Sequence, residues 1–126
     1  MPRFVVLLHE LPPTADRATH WDFMLEDGDV LLTWALPKVP RVGEAVAAEQ
    51  LADHRREYLD YEGPVSGDRG SVRRWDEGAF QWLQRTEQRI LVELTGRRLS
   101  GTASFNRQQN DDDDRVQRWS VSLRKS

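Results

Sequence analysis

Two histidines and an aspartate near the start of the chain have the types and spacing of metal ligands. His20 and Asp22 are two residues apart, so on a β-strand they lie side by side on one face. His9 ends an earlier apolar segment, and antiparallel pairing of the two segments would bring it beside His20. Two imidazoles and one carboxylate can hold Mn²⁺, Zn²⁺ or Fe²⁺ and leave positions open for water or a phosphate oxygen. The pattern predicts a metal site able to act as a Lewis acid on phosphorus, although a bare His-x-Asp also occurs for structural reasons alone.

A second candidate pair is His54 and Tyr58, which are four residues apart. This spacing places both side chains on the same face of a helix or of a strand. A histidine near a bound metal could donate a hydrogen bond or a proton to a phosphate, and Tyr58 could position the same oxygen. The sequence alone leaves open the alternative of a structural histidine beside a half-buried tyrosine.

Short strands separated by turns are predicted to position these residues. Asp27-Gly28 is a strong hairpin signal between two strand-like segments. Gly43–Ala52 is rich in alanine and glutamate and is the one segment predicted to form a short helix. Turn signals recur every ~8–12 residues, which is typical of an all-β barrel or sandwich. The predicted strands are Arg3–His9, His20–Glu26, Val30–Leu36, Glu57–Glu62, Ser71–Trp75, Ala79–Arg85, Arg89–Leu94, Arg98–Phe105 and Val116–Leu123.

The composition limits the class of protein. The 126 residues are predicted to form one domain, 1–126, because the chain is too short for two ordinary domains. The absence of cysteine excludes disulfides and thiolate metal sites. A net charge of −3 argues against a protein that coats nucleic acid by bulk electrostatics. The acidic run Asp111–Asp114 is predicted to be a solvated hairpin loop.

No apolar run approaches the ~20 residues that span a bilayer, and no signal-peptide pattern is present. We therefore expect a cytoplasmic protein that does not bind membranes.

Further sequence blocks follow one another along nearly the whole chain: His9, His20–Glu26 (HWDFMLE), Trp34–Lys38 (WALPK), Asp53-His54, Tyr58, Tyr61–Pro64 (YEGP), Arg74–Asp76 (RWD), Gly78, Leu94–Leu99 (LTGRRL) and Trp119–Lys125. Together these blocks resemble the 3′-phosphoesterase domain of bacterial ATP-dependent DNA ligase D. No single block is specific, but their number and order are. The chain would be a free-standing, divergent version of this domain, without the polymerase and ligase modules.

The resemblance implies a compact barrel. The predicted fold class is therefore mainly β: a small closed or partly open antiparallel β-barrel with at most one or two short helices. The implied activity is the removal of a 3′-ribonucleoside or a 3′-phosphate from DNA ends during non-homologous end joining. The implied cofactor is Mn²⁺, with Zn²⁺ or another transition metal as the alternative. The implied partners are DNA 3′ ends, at a primer–template junction or a nick, and separate ligase or polymerase repair proteins; we expect the chain itself to be a monomer.

The resemblance also assigns roles to the candidate residues. Carried over position by position, the metal ligands would be His9, His20 and Asp22. His54 would contact the scissile phosphate as a catalytic residue, with support from Tyr58.

The chain departs from the family pattern in its arginines. Met24 stands where the family has a phosphate-binding arginine, and the loss of such a contact can cost several orders of magnitude in rate. A second phosphate-binding arginine, upstream of His54, has no clear counterpart, and Arg41 is the nearest replacement. The alternative to full activity is a weakened enzyme, a different phosphoesterase, or a non-catalytic barrel that binds DNA ends or proteins and retains the metal. The arginines that could supply the missing charge are Arg55 and Arg56, which we take with Arg41 as the phosphate-binding candidates, and Arg69, Arg73 and Arg74.

Overall fold

A computed structural model of the protein describes residues 1–108 and 116–125. The acidic run Asp111–Asp114 lies outside these residues. The helix in this part of the chain is a 3₁₀ helix of four residues, Arg56–Leu59, and no helix here is long and apolar enough to cross a membrane. The strands are β1 (Arg3–Glu10), β2 (His20–Asp27), β3 (Val30–Leu36), β4 (Ala45–Arg55), β5 (Gly63–Pro64), β6 (Ser71–Arg85), β7 (Arg89–Gly96), β8 (Ser100–Arg107) and β9 (Gln117–Arg124).

The strands form an antiparallel sheet that closes on itself. Within the described residues, neighbouring strands follow the order β1-β2-β3-β4-β9-β8-β7-β6, and β6 pairs in turn with β1. The short β5 pairs with the first residues of β6. This closed eight-stranded barrel confirms the predicted fold class. The predicted β2–β3 hairpin is present, but its turn is Gly28-Asp29, one residue later than the predicted Asp27-Gly28, because Asp27 still pairs with Val30; Gly28 is in the left-handed region at φ 62°.

Strand β1 is buried on both of its faces. Phe4 and Val6 belong to the core that fills the barrel, while Val5 and Leu7 alternate with them and are equally buried outside it. A strand that is covered on both sides requires a continuous apolar run instead of alternating polar and apolar residues. The continuous apolar segment at the start of the chain is therefore typical of a barrel strand whose outer face is covered by a second layer of structure.

A second apolar cluster, which we call the outer cluster, lies on this outer face. The segment of residues 56–70 covers it: Leu59 is buried within it, and Tyr58 and Val65 pack against it. The outer cluster consists of Val5, Leu7, Met24, Leu31, Leu59 and Val72.

The helix predicted for Gly43–Ala52 is wrong, because the structure has strand β4 there. Val46 and Ala48 are buried in the barrel core, and β4 pairs with β3 on one edge and β9 on the other. Alanine and glutamate favour a helix only weakly. Two neighbouring strands and an alternating pair of core residues outweigh that preference.

Two further strand predictions need correction. The strand predicted for Glu57–Glu62 is wrong, because the chain forms the 3₁₀ helix there, which turns Leu59 into the outer cluster. The strands predicted as Ser71–Trp75 and Ala79–Arg85 are one strand, β6. Gly78 joins the two parts, and a Cβ atom at this position would lie only 2.1 Å from the Thr95 carbonyl oxygen on β7.

A buried carboxylate closes the turn between β7 and β8. Asp76, on β6, is 2% exposed. Its Oδ1 accepts hydrogen bonds from the backbone N–H groups of Arg97 and Arg98, and its Oδ2 accepts one from Leu99, all at 2.9 Å. A single side chain therefore satisfies three backbone donors of one turn.

We expect Asp76→Ala to lower the free energy of unfolding by about 3 kcal/mol, because three backbone donors lose a charged acceptor and one of them is buried. Urea denaturation followed by tryptophan fluorescence measures the change. The matched control is Glu77→Ala at the next residue. The Glu77 carboxylate forms partly exposed ion pairs with Arg74 and Arg97, so this substitution should lower the free energy of unfolding by less than about 1 kcal/mol. Equal stabilities for the two variants would contradict this role of Asp76.

Candidate metal and phosphate site

The pairing of β1 with β2 brings the three predicted metal ligands together. His9 lies directly opposite His20, and Leu7 lies opposite Asp22, which confirms the predicted antiparallel pairing. Because side chains alternate along each strand, all three ligand residues are on the outer face of the barrel wall. One donor atom from each residue lies within 4.8 Å of the other two.

The contacts of His20 and Asp22 leave two buried polar atoms facing each other. Both side chains are almost fully buried. His20 Nδ1 lies 2.8 Å from the Ala18 carbonyl oxygen, which can only accept, so Nδ1 is the donor and Nε2 is the ring atom left to bind a proton or a metal ion. That Nε2 faces Asp22 Oδ1 at 2.9 Å, and neither atom has a hydrogen-bond partner among the described residues. Two buried acceptors at this distance repel each other unless a proton or a metal ion lies between them.

His9 is oriented in the same way on the other side of the carboxylate. Its Nε2 lies 2.7 Å from the carbonyl oxygen of Arg69, so Nδ1 is left to face Asp22 Oδ2 at 3.3 Å. The two imidazole rings are 5.0 Å apart between centroids. Metal-binding histidines characteristically donate their second ring N–H to a backbone carbonyl or a carboxylate, which fixes the tautomer and the ring orientation. The three donors could therefore hold a divalent ion.

The pKa values of these groups are coupled. Burial by itself would raise the pKa of Asp22, but hydrogen bonds through a proton on the facing ring nitrogens of His20 and His9 outweigh burial and hold that pKa below its usual 3.8. The carboxylate of Asp22 raises the pKa of His9 above 6.5, against the opposing effect of burial and of the Arg69 charge. Asp22 is consequently a carboxylate at neutral pH, as a metal ligand has to be.

A cleft of about 260 Å³ opens beside the ligand cluster, and both predicted catalytic residues line it together with His9 and Asp22. His54 lies on β4, where its Nδ1 is 2.8 Å from the Ala52 carbonyl oxygen. The Tyr58 ring stands edge-on to the His54 imidazole at 5.8 Å between centroids. Strand β4 and the 3₁₀ helix that follows it thus place His54 and Tyr58 in the same cleft as His9 and Asp22.

The predicted phosphate-binding arginines are distributed differently. Arg55 lines the cleft, whereas Arg41 and Arg56 are not among the residues that line it. Arg56 instead forms an ion pair with Glu26, and Arg41 lies between β3 and β4. Their roles in phosphate binding remain predictions.

The cleft also contains Arg69, which was named from the sequence among six arginines without a local signal that singles it out. Arg69 lines the cleft and is the partner of His9, although the two are 60 residues apart. It sits beside Gly70, at φ 76°, where a Cβ atom would lie 1.8 Å from the Glu10 carbonyl oxygen. A glycine next to an arginine in a loop is the only local sign, and such dipeptides are too common to predict a site.

A model of one known protein family matches the sequence of this chain. The sequence model described as "DNA Ligase D 3'-phosphoesterase domain" matches residues 14–107. The chain belongs to the DNA ligase D 3′-phosphoesterase domain family. The match confirms the resemblance predicted from the sequence blocks, and it includes His20, Asp22, His54 and Tyr58. His9 precedes the matched residues, so its place in this phosphoesterase-family site rests on the pairing of β1 with β2.

Three relatives of this phosphoesterase-domain chain are multifunctional proteins. The chain is 36% identical over 92 residues to the multifunctional non-homologous end joining protein LigD of Pseudomonas aeruginosa. The aligned region covers 65% of this chain and 11% of that protein. The chain is 33% identical over 106 residues to the LigD proteins of Mycobacterium bovis and Mycobacterium tuberculosis, with 75% of this chain and 14% of each relative covered. The chain thus spans only 11–14% of the length of these relatives.

Proposed function

We propose that the protein is a metal-dependent phosphoesterase that acts on DNA 3′ ends and prepares them for end joining. The observation that carries the proposal is the pair of buried acceptors, His20 Nε2 and Asp22 Oδ1, which face each other without a partner. Membership of the 3′-phosphoesterase domain family supports the reaction class. The relatives are named as non-homologous end joining proteins, which supports a role in DNA end repair.

His9, His20 and Asp22 fit a divalent metal by donor type, burial and orientation. Nitrogen and carboxylate donors accept Mn²⁺ as well as Zn²⁺, and we favour Mn²⁺ because of the family resemblance. When bound, such an ion supplies a Lewis acid at the phosphate group. Ala18 O and Arg69 O hold the two imidazoles in the tautomers that this role needs.

The cleft residues supply the remaining chemistry. Because His54 Nδ1 is held by the Ala52 carbonyl, Nε2 is the ring atom left to hold or release a proton, and Tyr58 limits the orientation of the ring. For a 3′-phosphate, the oxygen of water bonds to phosphorus, the bond from phosphorus to O3′ breaks, and O3′ takes up a proton. The products are inorganic phosphate and a 3′-hydroxyl.

The direct test uses two labelled primer–templates, one with a single 3′-terminal ribonucleotide and one with a 3′-phosphate. The chain is stripped with a chelator, dialysed, and assayed with Mn²⁺, Zn²⁺, Mg²⁺ or no metal. We expect shortening or dephosphorylation of the 3′ end with Mn²⁺ and none without metal. Turnover that is equal in the stripped protein, or none with any metal, would overturn the proposal.

A second candidate function is a DNA-end-binding module without turnover, and Met24 is the observation that favours it. Met24 lines the cleft with only 1% of its surface exposed, so an apolar side chain occupies the place of a family phosphate-binding arginine. Binding to nicked or recessed DNA that falls steeply with salt, without product formation, would identify this function.

We expect Met24→Arg to raise the rate of 3′-end processing in Mn²⁺ by about tenfold or more, because an added guanidinium would stabilise negative charge on the phosphate. Initial rates on the 3′-phosphate substrate give the comparison. Met24→Leu is the control, since it keeps an apolar side chain in the outer cluster and should leave the rate within about twofold. No increase, with Mn²⁺ bound normally, would mean that another residue already fills this role or that phosphate is not the substrate.

A further inference from the structure

We propose that Arg69, in the loop between β5 and β6, binds the phosphate group of the substrate and takes the place of the arginines that this chain lacks. This inference rests on the proposed function, because it concerns the phosphate that the candidate site would process. It assigns the role to one of the six arginines that the sequence left as alternatives.

Of the other five arginines, Arg41 does not line the cleft, and the remaining four already have carboxylate partners. Arg55 lies 3.2 Å from Glu57, and its side chain is 84% exposed. Arg56 is paired with Glu26, while Arg73 lies 3.3 Å from Glu10. A carboxylate beside a guanidinium offsets part of its positive charge, which weakens its attraction for a phosphate. The fourth, Arg74, is shared between Glu62 and Glu77.

Arg69 is different because its charge is not neutralised. Its Nε donates to the Ser66 carbonyl oxygen at 2.7 Å, and its Nη2 donates to Ser66 Oγ at 3.2 Å. No carboxylate of the described residues lies within ion-pair distance of it. A guanidinium has five N–H donors, so these two contacts orient the side chain and leave donors for an anion. Arg69 lines the same cleft as the predicted catalytic residues.

The backbone holds Arg69 in a constant position relative to the metal ligands. Its carbonyl oxygen accepts the hydrogen bond from His9 Nε2 at 2.7 Å. On either side, Asp68 and Gly70 have left-handed backbone conformations, at φ 55° and 76°, and Gly70 packs against the backbone of Glu10. The loop is therefore fixed to the end of β1. A phosphate on the Arg69 side chain would lie in the cleft next to the candidate metal site.

The experiment compares Arg69→Gln with the matched control Arg73→Gln. Arg73 is also an exposed arginine close to the end of β1, but it does not line the cleft. Calorimetric titration with inorganic phosphate, on the Mn²⁺-loaded and the metal-stripped proteins, measures anion binding. Electron paramagnetic resonance measures Mn²⁺ affinity.

We expect Arg69→Gln to weaken phosphate binding about tenfold or more. Mn²⁺ affinity should stay within about twofold, because the backbone carbonyl of residue 69 still holds His9. Arg73→Gln should change neither affinity.

The outcomes separate the two proposals. Selective loss of phosphate binding in Arg69→Gln supports the inference, even if the wild-type chain proves unable to cleave DNA ends and the proposed function fails. Equal phosphate affinity in the wild type and Arg69→Gln would overturn the inference, and 3′-end processing would then still support the proposed function. A wild-type protein that binds no phosphate, with or without Mn²⁺, would overturn the inference as well.

Discussion

Asp22→Asn is expected to abolish metal binding and 3′-end processing together. Asp22 lies between the two imidazoles, with Oδ1 2.9 Å from His20 Nε2 and Oδ2 3.3 Å from His9 Nδ1. An amide is a neutral ligand, and its NH₂ group would donate a hydrogen bond to one of the two imidazole lone pairs. Loss of a Lewis acid that supplies several kcal/mol at the transition state corresponds to a fall in rate of roughly 10³-fold or more.

Metal content by mass spectrometry, the Mn²⁺-dependent rise in melting temperature, and cleavage of the 3′-phosphate substrate measure this prediction. The matched control is Asp27→Asn on the same strand, because Asp27 pairs with Arg85 at the surface, away from the cleft. That variant should bind Mn²⁺ and process ends like the wild type. If Asp22→Asn keeps its activity, the metal assignment is wrong; if it keeps the metal but loses activity, Asp22 acts on the substrate instead.

His54→Ala is expected to reduce the rate of processing by about 10²–10⁴-fold while Mn²⁺ affinity stays unchanged. A positioned acid or base contributes this range of rate enhancement. His54 lines the cleft next to Asp22 and His9, but it does not belong to the group of possible metal ligands found in the described residues. The loss should therefore appear in kcat and not in metal binding.

Single-turnover rates in Mn²⁺, with metal affinity measured in parallel, separate these two effects for His54. Gln50→Ala provides the control, since Gln50 lies on the same strand β4 but does not line the cleft; its rate should remain within about twofold. A parallel loss of Mn²⁺ affinity in His54→Ala would indicate that His54 is a ligand. A normal rate would remove it from the chemistry.

The β2–β3 hairpin and the grouping of His9, His20 and Asp22 could be predicted from local sequence. Side chains alternate with period two along a strand, so His20 and Asp22 had to share a face. Asp27-Gly28 marks the turn between β2 and β3 to within one residue, and the apolar run that ends at His9 is long enough to pair with β2 along its length. These features depend on short-range geometry, and for that reason the ligand cluster could be predicted without coordinates.

Strand β4 and the 3₁₀ helix could not be predicted in this way. The local preference of Gly43–Ala52 is for a helix, and only the neighbouring strands β3 and β9 make it a strand. In the same way, the 3₁₀ helix brings Leu59 against the outer cluster, a contact with β1 and β2 that is distant in sequence. Since β4 and this helix carry His54 and Tyr58, the sequence could pair these two residues but not place them beside Asp22.

The sequence by itself determined which chemical groups are available and to which family the chain belongs. These groups are two imidazoles and a carboxylate near the start of the chain and the pair of His54 and Tyr58. Only the tertiary structure decided which nitrogen of His9 faces Asp22, because the Arg69 carbonyl group, 60 residues away in the chain, contacts the other nitrogen. It also decided which arginine keeps a free charge in the cleft. Ion pairing depends on distances between residues far apart in the chain, and these distances are set when the barrel closes.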